Sequence, residues 1–231
     1  MRRIVLLAAA VLALCGWSVQ AQELEGEKLF QAMQERISCA KAIHVKVGMT
    51  GNTPDFDEKA ALHLGIWVTD ANQARFEMEI TRKDRETVSA LMVSDGSGVV
   101  MAAPGKRLAL PMPANLAVTL KSGLATAGAD MVPGVLLSDP LALEKRLVAS
   151  GFKLGAREKV GMGETQVLRY VANAKNSGPA TAVNIAVWID LQTNLPVKRV
   201  CAMDNGIRSE ELYSDWQLNA PMDPALFELP K

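Results

Sequence analysis

Strict alternation constrains this chain more than any other feature. In "ARFEMEI", residues 74–80, Phe76, Met78 and Ile80 fall on one side and Arg75, Glu77 and Glu79 on the other. That is a strand with one dry face and one wet face. The same period runs through residues 43–50, where Ile43, Val45, Val47 and Met49 alternate with polar or small partners, and through "ALHLGIWV", which sets Leu62, Leu64, Ile66 and Val68 against His63 and Trp67. Links such as "DANQ", Asp95-Gly96 and Pro104-Gly105 carry turn chemistry. Links this short cannot reach a parallel neighbour, so the strands form an antiparallel meander. A second meander follows in "FKLGAREKV", "ETQVLRYVA", "AVNIAVWID", "LPVKRVCAM" and "IRSEELYSDWQL", with Asn205-Gly206 its clearest turn.

Helical period appears in two places. Residues 24–42 space Leu24, Leu29, Met33, Ile37 and Ala40 as the apolar stripe of one amphipathic helix. Residues 113–150 are rich in Ala and Leu and broken at Gly123, Gly128, Pro133 and Pro140, which predicts several short helices, one capped by Ser138 or Asp139 with Pro140 at its first position. The sum is α+β: a mostly antiparallel sheet with its helices gathered on one face.

The first residues have a basic start at Arg2 and Arg3, an apolar run from Ile4 to Leu14, and small Val19 and Ala21 before Gln22. This is the layout of a secretory signal peptide over residues 1–21, followed by one domain over residues 22–231. The apolar run is too short to span a bilayer as a helix, which needs roughly 20 residues. Cys15 approaches a lipid-modification site, but Leu14 is too large for the position before it, so cleavage after Ala21 and a soluble periplasmic product are expected. Lys and Arg number 25, as do Asp and Glu, and loss of Arg2 and Arg3 leaves a slightly acidic chain, which disfavours nucleic acid as a partner. Cys39 and Cys201 are a disulfide candidate in an oxidising compartment, with two unbridged buried thiols as the alternative.

Catalytic chemistry is sparse. His44 and His63 lie on strands and read as structural, and pairs such as Glu77 with Glu79 or Glu210 with Glu211 read as solvated strand faces. No GxSxG, HExxH, P-loop, GxGxxG or CxxC occurs, so neither an enzyme nor a metal or cofactor site is expected. What remains is the apolar sheet surface. Its members are Leu62, Leu64, Ile66, Phe76, Met78, Ile80, Met92, Met101, Leu108 and Leu110, with Val183, Ile185, Val187 and Ile189 from the later strands. An ordinary closed core is one reading. The other is a ligand surface, to which few aromatics, at 5%, and 11 flexible methionines lend themselves.

"GIWVTDANQARFEMEI", "LMVSDGSGVVM" and "YSDWQLNAPMDPALFELP", in that order, resemble the periplasmic lipoprotein-carrier superfamily of LolA, LolB and RseB-like proteins, and within it a LolA-like branch. "PGVLLSDP" and "VWIDLQTNLPVKRV" extend the resemblance over nearly the whole exported chain. It implies a half-open antiparallel β-barrel of about ten strands whose concave face, covered by the N-terminal and central helices, holds lipid or lipoprotein acyl chains. Leu64, Ile66, Phe76, Met78, Ile80, Met92, Met101, Leu110 and Val187 would then form the cavity wall. The N-terminal helix of that superfamily packs across the later strands, which would bring Cys39 and Cys201 within bridging range. Carriers of the superfamily place an arginine after the "W-V" strand to tie down the lid; Asp70 stands there, so no cavity arginine carries over. The resemblance leaves two functional readings: a lipid carrier, or an RseB-like regulatory sensor acting through an envelope protein partner.

Overall fold

The structure is a computed structural model that describes residues 23–51, 61–81, 86–110, 112, 114–129, 147–174, 182–203 and 206–230. Residues 23–38 form helix α1, and eleven strands follow: β1 (Ala42–Gly51), β2 (Ala61–Thr69), β3 (Gln73–Thr81), β4 (Val88–Asp95), β5 (Val99–Ala103), β6 (Lys106–Leu110), β7 (Leu147–Val160), β8 (Gly163–Ala174), β9 (Ala182–Asp190), β10 (Pro196–Met203) and β11 (Arg208–Leu218). Helix α2 (Leu116–Thr126) lies between β6 and β7. The expected leader, the Ser138/Asp139 cap and Asn205 lie outside the described residues.

All eleven strands join one sheet in the order β6-β5-β4-β3-β2-β1-β11-β10-β9-β8-β7, each pair antiparallel. Two meanders are stitched together where β1 pairs with β11, through partners such as Val47 with Tyr213. β6 and β7 stay apart as the two edges, so the curved sheet is a half-open barrel rather than a closed one. The expected turns are present. Gly96, Gly105 and Gly161 have positive φ, and the Asp95 carboxylate accepts from the backbone N–H groups of Ser97 and Gly98 at 2.7 and 2.9 Å. β7 begins at Leu147, so residues 147–150, read above as part of the helical insert, are strand.

Both helices pack on the concave face. The inward stripe of α1 is Gly26, Phe30, Met33 and Ile37, whereas Leu24 is 53% exposed. The reason is close approach: a Cβ on Gly26 would lie 3.1 Å from the Phe152 Cβ, and the Phe30 ring lies 4.9 Å from both Phe152 and Tyr170, tilted against the first and edge-on to the second. On the convex face the C-terminal tail forms a 3-10 turn, Pro224–Phe227, that packs against β3 and β4. Arg75 donates to the Leu226 carbonyl at 3.1 Å and Arg107 to the Pro230 carbonyl at 3.2 Å.

Candidate binding site

Cross-strand partners in an antiparallel sheet share a face. Val45, Ile66, Phe76, Met92, Met101 and Leu108 are successive partners from β1 to β6, a continuous apolar row on the concave side. Leu64 opposite Met78 and Leu62 opposite Ile80 begin two further rows. Of the nine residues read as cavity wall, Leu64, Ile66, Phe76, Met92 and Val187 are buried in the core. Met78, Ile80, Met101 and Leu110 are only partly buried against it. Beyond them on the same rows, Val88 and Leu108 are 49% and 50% exposed. The concave face is therefore packed near β1 and β2 and increasingly open toward β6.

The other half of that face is different. Successive partners there are Met49, Glu211, Arg199, Val187 and Leu168, which places two charged side chains inside an apolar row. Both Arg199 and Glu211 are fully buried. Arg199 donates to the carbonyls of Leu124 and Ala125 at 3.0 and 3.1 Å and to the Tyr213 hydroxyl at 3.0 Å. Tyr213 in turn donates to Glu211, whose carboxylate lies 3.8 Å from the guanidinium. Tyr170 donates to the Thr126 carbonyl at 2.7 Å, and the Cys201 thiol to that of Ala127 at 3.5 Å. Four carbonyls at the C-terminus of α2 are thus received by side chains rising from the sheet, the groups that a helix end otherwise leaves unsatisfied.

Burial works against the Arg199 charge, but the oxygens of Tyr213, Tyr170 and Glu211 outweigh it and hold the guanidinium protonated. Burial pushes the Tyr213 phenol well above its ordinary range, keeping it a neutral donor, and does the same to Tyr170. Gly128, with φ +112°, carries the chain over the cluster. A Cβ there would meet Glu211 at 2.6 Å and Arg199 at 2.7 Å.

Two more ties hold α2. Asn72, in the β2–β3 turn with φ +57°, accepts from the Ala117 N–H at 3.2 Å and donates to the Ala114 carbonyl at 3.0 Å, capping the helix from another element. Lys121, on the helix and 4% exposed, binds the Asp70 carboxylate and the Ala40 carbonyl. Asp70, just past β2, thus helps to hold α2 through a cation that the helix supplies.

Two sequence expectations change, and one buried residue was not foreseen. Glu211 is not on a solvated face, although Glu77, Glu79 and the Glu210 partner of Lys198 are at least partly exposed. Neighbours on a strand point to opposite faces, so one member of Glu210-Glu211 has to turn inward. Arg199 was missed, yet it shares its strand parity with Cys201 and Val197 rather than with Lys198. No disulfide joins Cys39 and Cys201: Cys39 is exposed just past α1, and Cys201 is buried beneath Ala127. His44 and His63 lie on the convex side, where His44 stacks on Trp67 at 4.6 Å and 10°. No cluster of His, Cys, Asp and Glu among the described residues has the arrangement of a metal site.

No family model matches the chain, and no curated protein matches it in sequence. Solved structures do match. LprF from Mycobacterium bovis superposes over 86% of this chain and 95% of its own, at 12% identity and TM-score 0.52. The Mycobacterium tuberculosis lipoprotein LppX is similar over 89% and 96%, at 12% identity and TM-score 0.44. A LolA superfamily protein from Nitrosomonas europaea aligns over 88% and 97%, at 12% identity and TM-score 0.35. The chain thus shares its fold with LprF. In this chain α2 lies over the concave apolar rows, and its ties are Asn72, Asp70, Arg199 and Tyr170.

Proposed function

We propose that this protein is an exported, periplasmic binding or carrier protein that holds lipid or lipoprotein acyl chains against its concave face. The observation that carries the reading is the gradient along one continuous apolar surface, from buried Ile66 and Phe76 through half-buried Met78, Ile80 and Met101 to exposed Val88 and Leu108. A closed core gains nothing from apolar side chains left half in water, whereas a flexible acyl chain laid along them would remove about 25 cal/mol of unfavourable exposure per Å² covered. Methionine suits such a surface because its unbranched thioether adapts to irregular partners. The chemistry is binding without turnover: the two buried charges are engaged in holding α2, and among the described residues no nucleophile–base pair stands at the apolar rows. The leader-like N-terminus supports export, and no described helix is long and apolar enough to cross a membrane. The alternative, a regulatory sensor acting through an envelope partner, draws on the convex face of β7–β11, where cations line a hollow.

Native mass spectrometry of the protein expressed with its leader tests the carrier reading. The expected spectrum shows a chain beginning at Gln22 without acylation, carrying co-purified lipid. A bare chain that also takes up no fluorescent fatty acid contradicts the proposal, and a species lipidated at Cys15 moves it to a membrane-anchored role.

A further inference from the structure

A second, smaller apolar core lies on the convex face, beneath the C-terminal tail. Val93 and Val100 are cross-strand partners on the same side as Arg75, away from the concave rows, yet both are buried, and so is Phe227 of the tail. None of the three belongs to the apolar cluster of the concave side. The 3-10 turn that carries Phe227 packs on β3 and β4, and Leu229 reaches the β4–β5 link, where a Cβ on Gly98 would lie 3.9 Å from its side chain. The tail is tied along its whole course. At its start the Asn219 N–H donates to the Ala42 carbonyl at 2.8 Å, and the Asn219 side chain accepts from the Lys41 N–H at 2.6 Å. Farther on, Arg75 of β3 holds the Leu226 carbonyl and Arg107 of β6 holds that of Pro230.

These ties cross the half of the sheet whose inner face is open. β3 and β6 are three strand positions apart, about 14 Å at the usual spacing, and the four steps from Leu226 to Pro230 cover about that distance only when extended. The tail therefore crosses β3–β6 without a spare loop. A band on the outside of a curved sheet resists further curling, because curling lengthens the outer path while it shortens the inner one. Curling is what the inner face favours on its own: Met78, Met101 and Leu110 lie half in water, and the short edge strands β5 and β6 could fold them against Phe76 and Met92. We propose that the C-terminal tail is a strap that holds the β4–β6 flap back, so that the apolar rows stay open when no acyl chain lies on them. Phe227 is its anchor and Arg75 and Arg107 are its ties, positioning residues that act through the flap. The purpose of the strap rests on the carrier reading, but the position of the flap can be read without lipid.

Met101→Cys, in a Cys39→Ser background where Cys201 stays buried, reports the flap through its rate of labelling by a maleimide. Phe227→Ala slows that labelling about threefold or more as the flap curls in, and it weakens binding of a fluorescent fatty acid in the same proportion, because apparent affinity scales with the open fraction. Arg107→Ala, at an exposed residue, cuts only the Pro230 tie and shifts both readings the same way by less. Leu195→Ala, at a buried residue in the β9–β10 link, removes core packing far from the flap and changes neither. Labelling of the Phe227→Ala protein at the parent rate or faster overturns the proposal, since the tail would then only brace the sheet or hold the flap closed. Slower labelling in Phe227→Ala, with no fatty-acid binding by the parent, supports the strap and removes the carrier reading instead.

Discussion

The two halves of the concave face do opposite jobs with the same sheet. From β1 to β6 the rows are apolar apart from Ser94 and end half in water, whereas from β8 to β11 they enclose Arg199, Glu211, Tyr213 and Tyr170, which hydrogen-bond to one helix end and to one another. Apolar contact is non-directional, so the first half accepts variable shapes. Hydrogen bonds to buried charges are directional and fix one geometry. The contrast indicates that α2 is registered by polar ties at its ends and middle, leaving the open apolar half free to adapt.

The largest effect on this contrast comes from breaking the polar half. Glu211→Ala leaves Arg199 buried without its carboxylate and should cost about 3–5 kcal/mol in urea unfolding. The double variant Arg199→Met with Glu211→Leu should lose less than Glu211→Ala alone, because no buried charge is stranded. If both cost the same, the cluster is not coupled as the geometry implies.

A smaller loss follows from Gly128→Ala. Strain at φ +112° costs about 1–3 kcal/mol, and the new Cβ falls within 2.6–2.7 Å of Glu211 and Arg199. Alanine at Gly161, also at positive φ but with open space around it, should cost less, so the difference between the two melting temperatures reads the contact with the cluster.

The smallest effect is a pH dependence from the convex face. Burial, and then Lys46, lowers the His44 pKa below its ordinary value, so the unfolded chain takes up this proton more readily than the folded one. Stability therefore falls as pH drops from about 6.5 toward the lower folded value, and is retained above it. His44→Phe, which preserves stacking on Trp67, should flatten that part of the melting-temperature profile; an unchanged slope would assign it to other groups.

Much of the fold was legible because alternation and turn chemistry are local. Phe76, Met78 and Ile80 do share a face with Leu64 and Ile66, and Asp95-Gly96 does close a hairpin. Pattern could not show that α1 approaches β7 and β8 so closely that Gly26 takes an inward position while Leu24 is left in solvent. Nor could it show Arg199 as a tie, since its partners are carbonyls more than seventy positions away on α2, and carbonyls leave no trace in a sequence. Glu211 was half visible in strand parity, and what it needed was the knowledge that a helix end lies over it. The separation of Cys39 from Cys201 depends likewise on tertiary placement.

The central claim is that the half-open apolar end holds acyl chains, and a pair of neighbours on β3 tests it most directly. Met78 lies on the concave face, while Glu77 lies on the convex one. Met78→Asp sets a carboxylate where the ligand would lie, and should abolish binding of a fluorescent fatty acid with little loss of thermal stability, because a half-buried carboxylate stays hydrated when the site is empty. Glu77→Gln should bind as the parent does. Unfolding of Met78→Asp, together with no probe binding by the parent protein, would mean that this face is closed core and would contradict the account.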